Sequence, residues 1–136
     1  MDKKGFLRKK FIKNRKIKYF EIDRNFFSPL KRLIKKRFKK RKLNFSLYFP
    51  SSYEVDILKI LEVDYFRKSN FLLPIIEEGN LMNFYKWEKK DILYVNKYGL
   101  LEPIKSKKII PDIVMVPLLA FDEYKNRLGY GKGFYD

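Results

Sequence analysis

A chain of 136 residues with 46% apolar content fits one domain, residues 1–136, around one hydrophobic core. It contains neither cysteine nor histidine, which excludes disulfide frameworks, thiolate metal sites and imidazole acid–base chemistry, so any metal must bind through oxygen, favouring Mg²⁺ over Zn²⁺. The net charge of +16 falls entirely in residues 1–42, which hold 19 Lys/Arg against 3 Asp/Glu, while residues 43–136 hold 13 of each.

No apolar run is long enough to span a bilayer, and the amino-terminal stretch lacks the apolar core and small-residue cleavage site of a secretory signal. Two basic helices open the chain. In residues 3–20, Phe6, Leu7, Phe11, Ile12 and Tyr19 recur at helical spacing and predict one apolar stripe. Ser28-Pro29 reads as a helix cap followed by a first-turn proline, with Leu30, Leu33, Ile34 and Phe38 as the buried stripe of the second helix. The intervening cations are expected to face solvent. They also permit an alternative reading of residues 1–42 as a nucleic-acid-binding module. No RNA-binding aromatic motif accompanies the charge, so charge alone supports that alternative.

Residues 43–48 alternate like a strand that Pro50-Ser51-Ser52 terminates. Residues 54–65 read as a helix with Val55, Leu58 and Leu61 inward. Residues 70–76 form a short apolar strand interrupted by Pro74, and residues 81–87 and 91–95 suggest two more. The run from Asp112 to Val116 predicts a strand covered on both faces. Alternating strands and helices indicate an α/β layer: a central sheet flanked by helices, with the two basic helices at its amino-terminal side.

The most informative segment is Arg127-Leu128-Gly129-Tyr130-Gly131-Lys132-Gly133-Phe134-Tyr135-Asp136. Glycine permits positive φ and close backbone approach, so successive N–H groups can converge on one anion. Lys132 and Arg127 add cations suited to phosphate oxygens, and Asp136 could hold Mg²⁺. These are the parts of a nucleotide-phosphate site, although the string is not a P-loop. A glycine-rich turn between two strands would use the same residues.

The wider string, Pro117-Leu118-Leu119-Ala120-Phe121-Asp122, four further residues and then the segment beginning at Arg127, resembles the signature of 5-formyltetrahydrofolate cyclo-ligases, also called methenyltetrahydrofolate synthetases. Upstream matches follow in the family's order. They are Lys4 and Arg8, Tyr48 to Pro50 with Glu54-Val55-Asp56, Pro74, Met82, Phe84 and Trp87, Asn96 to Gly99, Glu102-Pro103 and Pro111-Asp112.

The resemblance implies ATP and Mg²⁺ as cofactors and 5-formyltetrahydrofolate as the small-molecule partner. ATP would bind Lys4, Arg8 and Arg127, Leu128, Gly129, Tyr130, Gly131, Lys132, Gly133, Phe134 and Tyr135. Lys132 and Arg127 would carry the catalytic charge, and Asp136 would be the metal ligand. Folate would meet Phe49, Glu54, Trp87, Tyr130, Gly131, Lys132, Gly133 and Phe134. Tyr98, Glu102 and Asp122 would be structural, and Phe121 would pack beneath the loop.

Family members continue for several dozen residues past this string with more sheet and a second acidic region. The resemblance therefore implies a fold incomplete at its carboxyl side, with open edges, and leaves room for an inactive ligase that still binds ATP. The Lys4…Arg8 match begins almost at Met1, which leaves no space for a presequence, so a cytoplasmic location is expected, and a monomer unless the open edge drives association.

Overall fold

The computed structural model describes residues 2–39 and 42–136, so Lys40 and Arg41 of the basic third lie outside the described residues. Helix α1 spans Lys3–Ile17 and starts where the Asp2 carboxylate accepts the Gly5 N–H at 2.7 Å. No residue of α1 is fully buried. The expected stripe is only partial: Leu7 and Phe11 are half-buried, whereas Phe6 and Ile12 are exposed. Helix α2 spans Ser28–Arg37, with Phe27 in the cap position that the sequence assigned to Ser28. Ile34 is buried, Leu30 and Phe38 pack partly against the core, and Leu33 is exposed instead.

The central sheet has four strands in the order β3-β2-β1-β6. Strand β1 (Asn44–Ser46) runs parallel to both β2 (Asn70–Ile76) and β6 (Ile113–Val114), and β3 (Met82–Lys86) is antiparallel to β2. Two hairpins complete the fold, β4 (Leu93–Val95) with β5 (Leu101–Pro103) and β7 (Ala120–Phe121) with β8 (Arg127–Leu128). This is the central α/β sheet with flanking helices that the alternation of elements predicts, and its pairing is mixed and mostly parallel.

The crossover from β1 to β2 corrects one expectation. Residues 54–65 do not form an α-helix; 3₁₀ turns occupy Ile57–Glu62 and Asp64–Phe66. Ser52 and Tyr53 enter with positive φ, the Asp56 carboxylate takes the Leu58 N–H, and β-branched Val55, Ile57, Ile60 and Val63 crowd an α-turn. Side chains three apart eclipse in the tighter helix. The buried residues are therefore Ile57, Ile60 and Phe66, at threefold spacing, while Val63 on the same row is half-buried, as are Val55, Leu58 and Leu61.

Phe45 centres the core, meeting Phe66 edge-on at 5.3 Å and stacking on Phe71 at 5.8 Å between ring centroids. Phe71, Leu72 and Leu73 are buried in succession, so β2 is the strand covered on both faces. The run from Asp112 was expected to have that character. It instead pairs through only two residues at a sheet edge, where Ile113 is half-buried and Val114 is 40% exposed. Trp87 is also core, 4% exposed, with an indole N–H that finds no partner among the described residues.

Pro74 sits where the β1–β2 pairing stops. The Asn70 N–H goes to Leu43, and the Leu72 carbonyl accepts from Leu47. Past that point Pro74 has no N–H to leave unpaired, and the Ile76 N–H is taken by the Glu102 carboxylate at 2.9 Å. The space opened beyond the carboxyl ends of β1 and β2 becomes the cavity described below.

Just past the carboxyl end of β2, Glu77 accepts from the Tyr85 hydroxyl at 2.6 Å and from Asn83, and pairs with Lys105 at 2.8 Å. Hydrogen bonds from Lys105 and then Tyr85 hold its carboxyl at about 2, below the usual carboxylate range. A depressed carboxyl stabilises the fold above its unfolded value near 4.5 and loses that contribution as pH falls toward 2. Glu77→Gln should therefore flatten the dependence of Tm on pH between 4.5 and 2 relative to wild type. Parallel curves for the two proteins in that window would contradict this role.

Candidate active site

A cavity of about 810 Å³ lies between α1, the turn after β1, the end of β2, the β4–β5 hairpin and the loop after β8. The loop is shaped by glycine. Gly131 and Gly133 have φ of 95° and 71°, and a Cβ on Gly131 would stand 3.0 Å from the Arg8 guanidinium carbon. Arg8 in turn donates from Nε to the Gly129 carbonyl at 3.0 Å. A side chain at residue 131 would therefore press on the Arg8 guanidinium and push it a few tenths of an ångström from its place on the loop.

A second link runs deeper. Arg15 donates through Nη2 to the Leu118 carbonyl and through Nη1 to the Tyr130 hydroxyl at 2.7 Å. The Tyr130 hydroxyl donates to Glu54 Oε1 at 2.6 Å, and the other Glu54 oxygen accepts the Ser51 N–H at 2.8 Å. Glu54 is only 7% exposed, so these donors replace water around a buried carboxylate. Burial raises both the Tyr130 and Tyr48 hydroxyls well above the ordinary phenol value, helped by the hydrogen bond to Glu54 for Tyr130 and by the Glu54 charge for Tyr48. The Tyr135 hydroxyl is pushed up to about 12 for the same reasons, with Arg127 opposing. All three therefore remain protonated donors at neutral pH.

On the exposed side, Lys132 Nζ lies 4.8 Å from the centre of the Tyr98 ring, and Phe134 meets the same ring edge-on at 5.1 Å. Asp136 accepts from Arg127 Nη2 at 2.9 Å. No group of three or more acidic side chains able to hold a metal occurs among the described residues. The donor set at the loop is thus one carboxylate, which suits a Mg²⁺ ion carried in by phosphates better than an ion caged by protein.

The model of the 5-formyltetrahydrofolate cyclo-ligase family matches residues 1–136. The chain belongs to that family. It is 34% identical over 123 residues to a probable 5-formyltetrahydrofolate cyclo-ligase of Schizosaccharomyces pombe, covering 85% of this chain and 60% of the relative. To the 5-formyltetrahydrofolate cyclo-ligase of Haemophilus influenzae it is 31% identical, covering 68% of this chain and 54% of the relative. The chain thus spans somewhat over half the length of these curated relatives. Its fold matches the solution structure of 5,10-methenyltetrahydrofolate synthetase from Aquifex aeolicus with a TM-score of 0.69 at 31% identity, covering 97% of this chain and 69% of that one. It also matches the fold of a Mycoplasma pneumoniae 5,10-methenyltetrahydrofolate synthetase at 20% identity, with a TM-score of 0.61, covering 98% of this chain and 75% of that one.

In this member of the family, the cavity wall gathers Lys4, Arg8, Phe49, Glu54 and every residue from Arg127 to Asp136. Trp87 is the exception, because it is buried in the core and takes no part in the cavity wall. Phe121 is 74% exposed and does not pack beneath the loop. Tyr98 and Glu102, expected to be structural only, also line the cavity, and Glu102 braces Ile76 and Asn96 as well. Arg15 was missed. Its signal was its place seven residues after Arg8, two helical turns along the same face.

Gly131→Ala should destabilise the protein by about 1–2 kcal/mol from the left-handed backbone alone, and further through contact with Arg8. In an Arg8→Ala background the contact part should vanish, which paired thermal melts of the four proteins would detect. Strictly additive effects would contradict the close fit.

Proposed function

We propose that this chain binds ATP and 5-formyltetrahydrofolate together in the cavity and closes the folate to 5,10-methenyltetrahydrofolate, releasing ADP and phosphate. The observation that carries this reading is the convergence of the cationic glycine loop and the buried Glu54 carboxylate on one cavity, joined through Tyr130.

An amide-type oxygen is a poor leaving group, and phosphorylation makes it a good one. The formyl oxygen on N5 would take the γ-phosphoryl group from ATP as the bond to the β-phosphate oxygen breaks. N10 would then attack the activated carbon, and inorganic phosphate would depart with the original formyl oxygen. Phosphoryl transfer depends mainly on positioning and charge stabilisation, so it needs no histidine.

Each part has a candidate residue. Lys132 and Arg127 would stabilise charge on the transferred group, with Lys4 and Arg8 on the remaining phosphates and the loop amides on their oxygens. Glu54 would accept hydrogen bonds from amino and ring N–H groups of the pterin. Phe49, Tyr98 and Phe134 would supply aromatic walls. Asp136 would exchange its contact with Arg127 for Mg²⁺, which would neutralise the charge of the phosphates. That exchange would also free the Arg127 guanidinium.

The near-ultraviolet absorbance of the methenyl product should rise when protein, Mg²⁺, ATP and 5-formyltetrahydrofolate are mixed. Lys132→Ala should reduce turnover by about 10²–10³-fold, the loss usual for one charge-stabilising donor. A folded wild-type chain that binds ATP without forming product would overturn the catalytic reading and leave a nucleotide-binding protein. Polynucleotide binding through the basic third has no support beyond its charge.

A further inference from the structure

We infer that Arg15 is a positioning residue that couples the nucleotide loop to the Glu54 carboxylate through the Tyr130 hydroxyl; the inference rests on the functional reading above. Arg15 is half-buried and takes no part in the cavity wall, so its work is done through other groups. Its two prongs serve different targets, the Leu118 carbonyl just ahead of β7 and the Tyr130 hydroxyl just after β8. The Leu119 N–H donates to the Leu128 carbonyl at 2.8 Å, so Arg15 holds both sides of the base of that hairpin against α1.

The chemistry sets a direction. A guanidinium donates five N–H groups and accepts none. The Tyr130 oxygen must therefore act as acceptor toward Arg15, which leaves its single proton for Glu54 Oε1. A carboxylate oxygen has a second lone pair, so Glu54 can keep this bond and still accept from a pterin N–H. Arg8 and Arg15, ~10 Å apart along α1, grip consecutive loop residues, Gly129 and Tyr130. A nucleotide that orders the loop would thereby fix the Tyr130 hydroxyl and hold Glu54 in place before folate arrives. The second ligand would then have less left to order, which is positive coupling without a large movement.

The test is calorimetric titration of the full chain with an imido analogue of ATP, with and without saturating 5-formyltetrahydrofolate. The wild type should bind the analogue at least about fivefold more tightly with folate present, the lower end of usual coupling. Arg15→Met and Tyr130→Phe should each bring that ratio close to one, and the double variant should lower it no further. Arg15→Lys should recover part of it by keeping one donor for Tyr130. A merely structural role would weaken both ligands and lower Tm while leaving the ratio unmoved. That result, in variants whose melts show them folded, overturns the inference alone. Wild-type protein that binds neither ligand defeats the functional reading and the inference together.

Discussion

The site depends on two arginines of one helix reaching across to a loop with little side-chain bulk of its own. Gly129, Gly131 and Gly133 give the segment after β8 the freedom to present its amides, and that freedom would otherwise leave it without a defined shape. Arg8 on the Gly129 carbonyl and Arg15 on the Tyr130 hydroxyl supply the missing definition. The contact is mutual, since α1 has no fully buried residue and is tied to the body partly through these same bonds. A strongly basic helix, which looks from composition like a solvated face, thus turns part of its charge inward.

That arrangement explains what could be read from the sequence. The glycine–aromatic–lysine string was legible because it closely matches a family signature, and Lys4 and Arg8 only through that same resemblance, since cations four apart recur by chance in so basic a segment. Strand β2 was legible to the residue, because an apolar run bounded by polar turns has one period to obey. The 3₁₀ crossover was not, because both 3.6- and 3.0-residue periods find apolar residues between Val55 and Phe66, and the positive-φ entry at Ser52 and Tyr53, the Asp56 cap and the packing of Phe66 on Phe45 are not visible in that pattern. Trp87 misled for a different reason. It was assigned to the folate through its spacing from Met82 and Phe84 in the family match, which says nothing about which face it takes, and the core claimed it. The hairpin strands β5, β7 and β8 are two or three residues long and carry no periodicity to detect.

The sheet creates the cavity by ending early. Strand β1 stops at Ser46, the chain turns away through Phe49 and Pro50, and Pro74 leaves β2 without a donor where a partner would have been required. Ligand sites in open α/β sheets form beyond the carboxyl ends of strands, and here the same edge receives the glycine loop from one side and the Glu102 hairpin from the other. Glu54 and the loop give this space its polarity: a buried carboxylate held by Ser51 and Tyr130 stands on one side, and the cations of Lys132 and Arg127, suited to phosphate, on the other.

The central claim is that the loop from Gly129 to Tyr135 closes on a triphosphate. Hydrogen exchange of individual backbone amides, followed with and without an unhydrolysable ATP analogue and Mg²⁺, measures this without requiring turnover. Slowed exchange concentrated at Gly129–Tyr135 and the start of α1 is the expected result. Unchanged exchange there, with protection confined to the basic surface of α2, would contradict it.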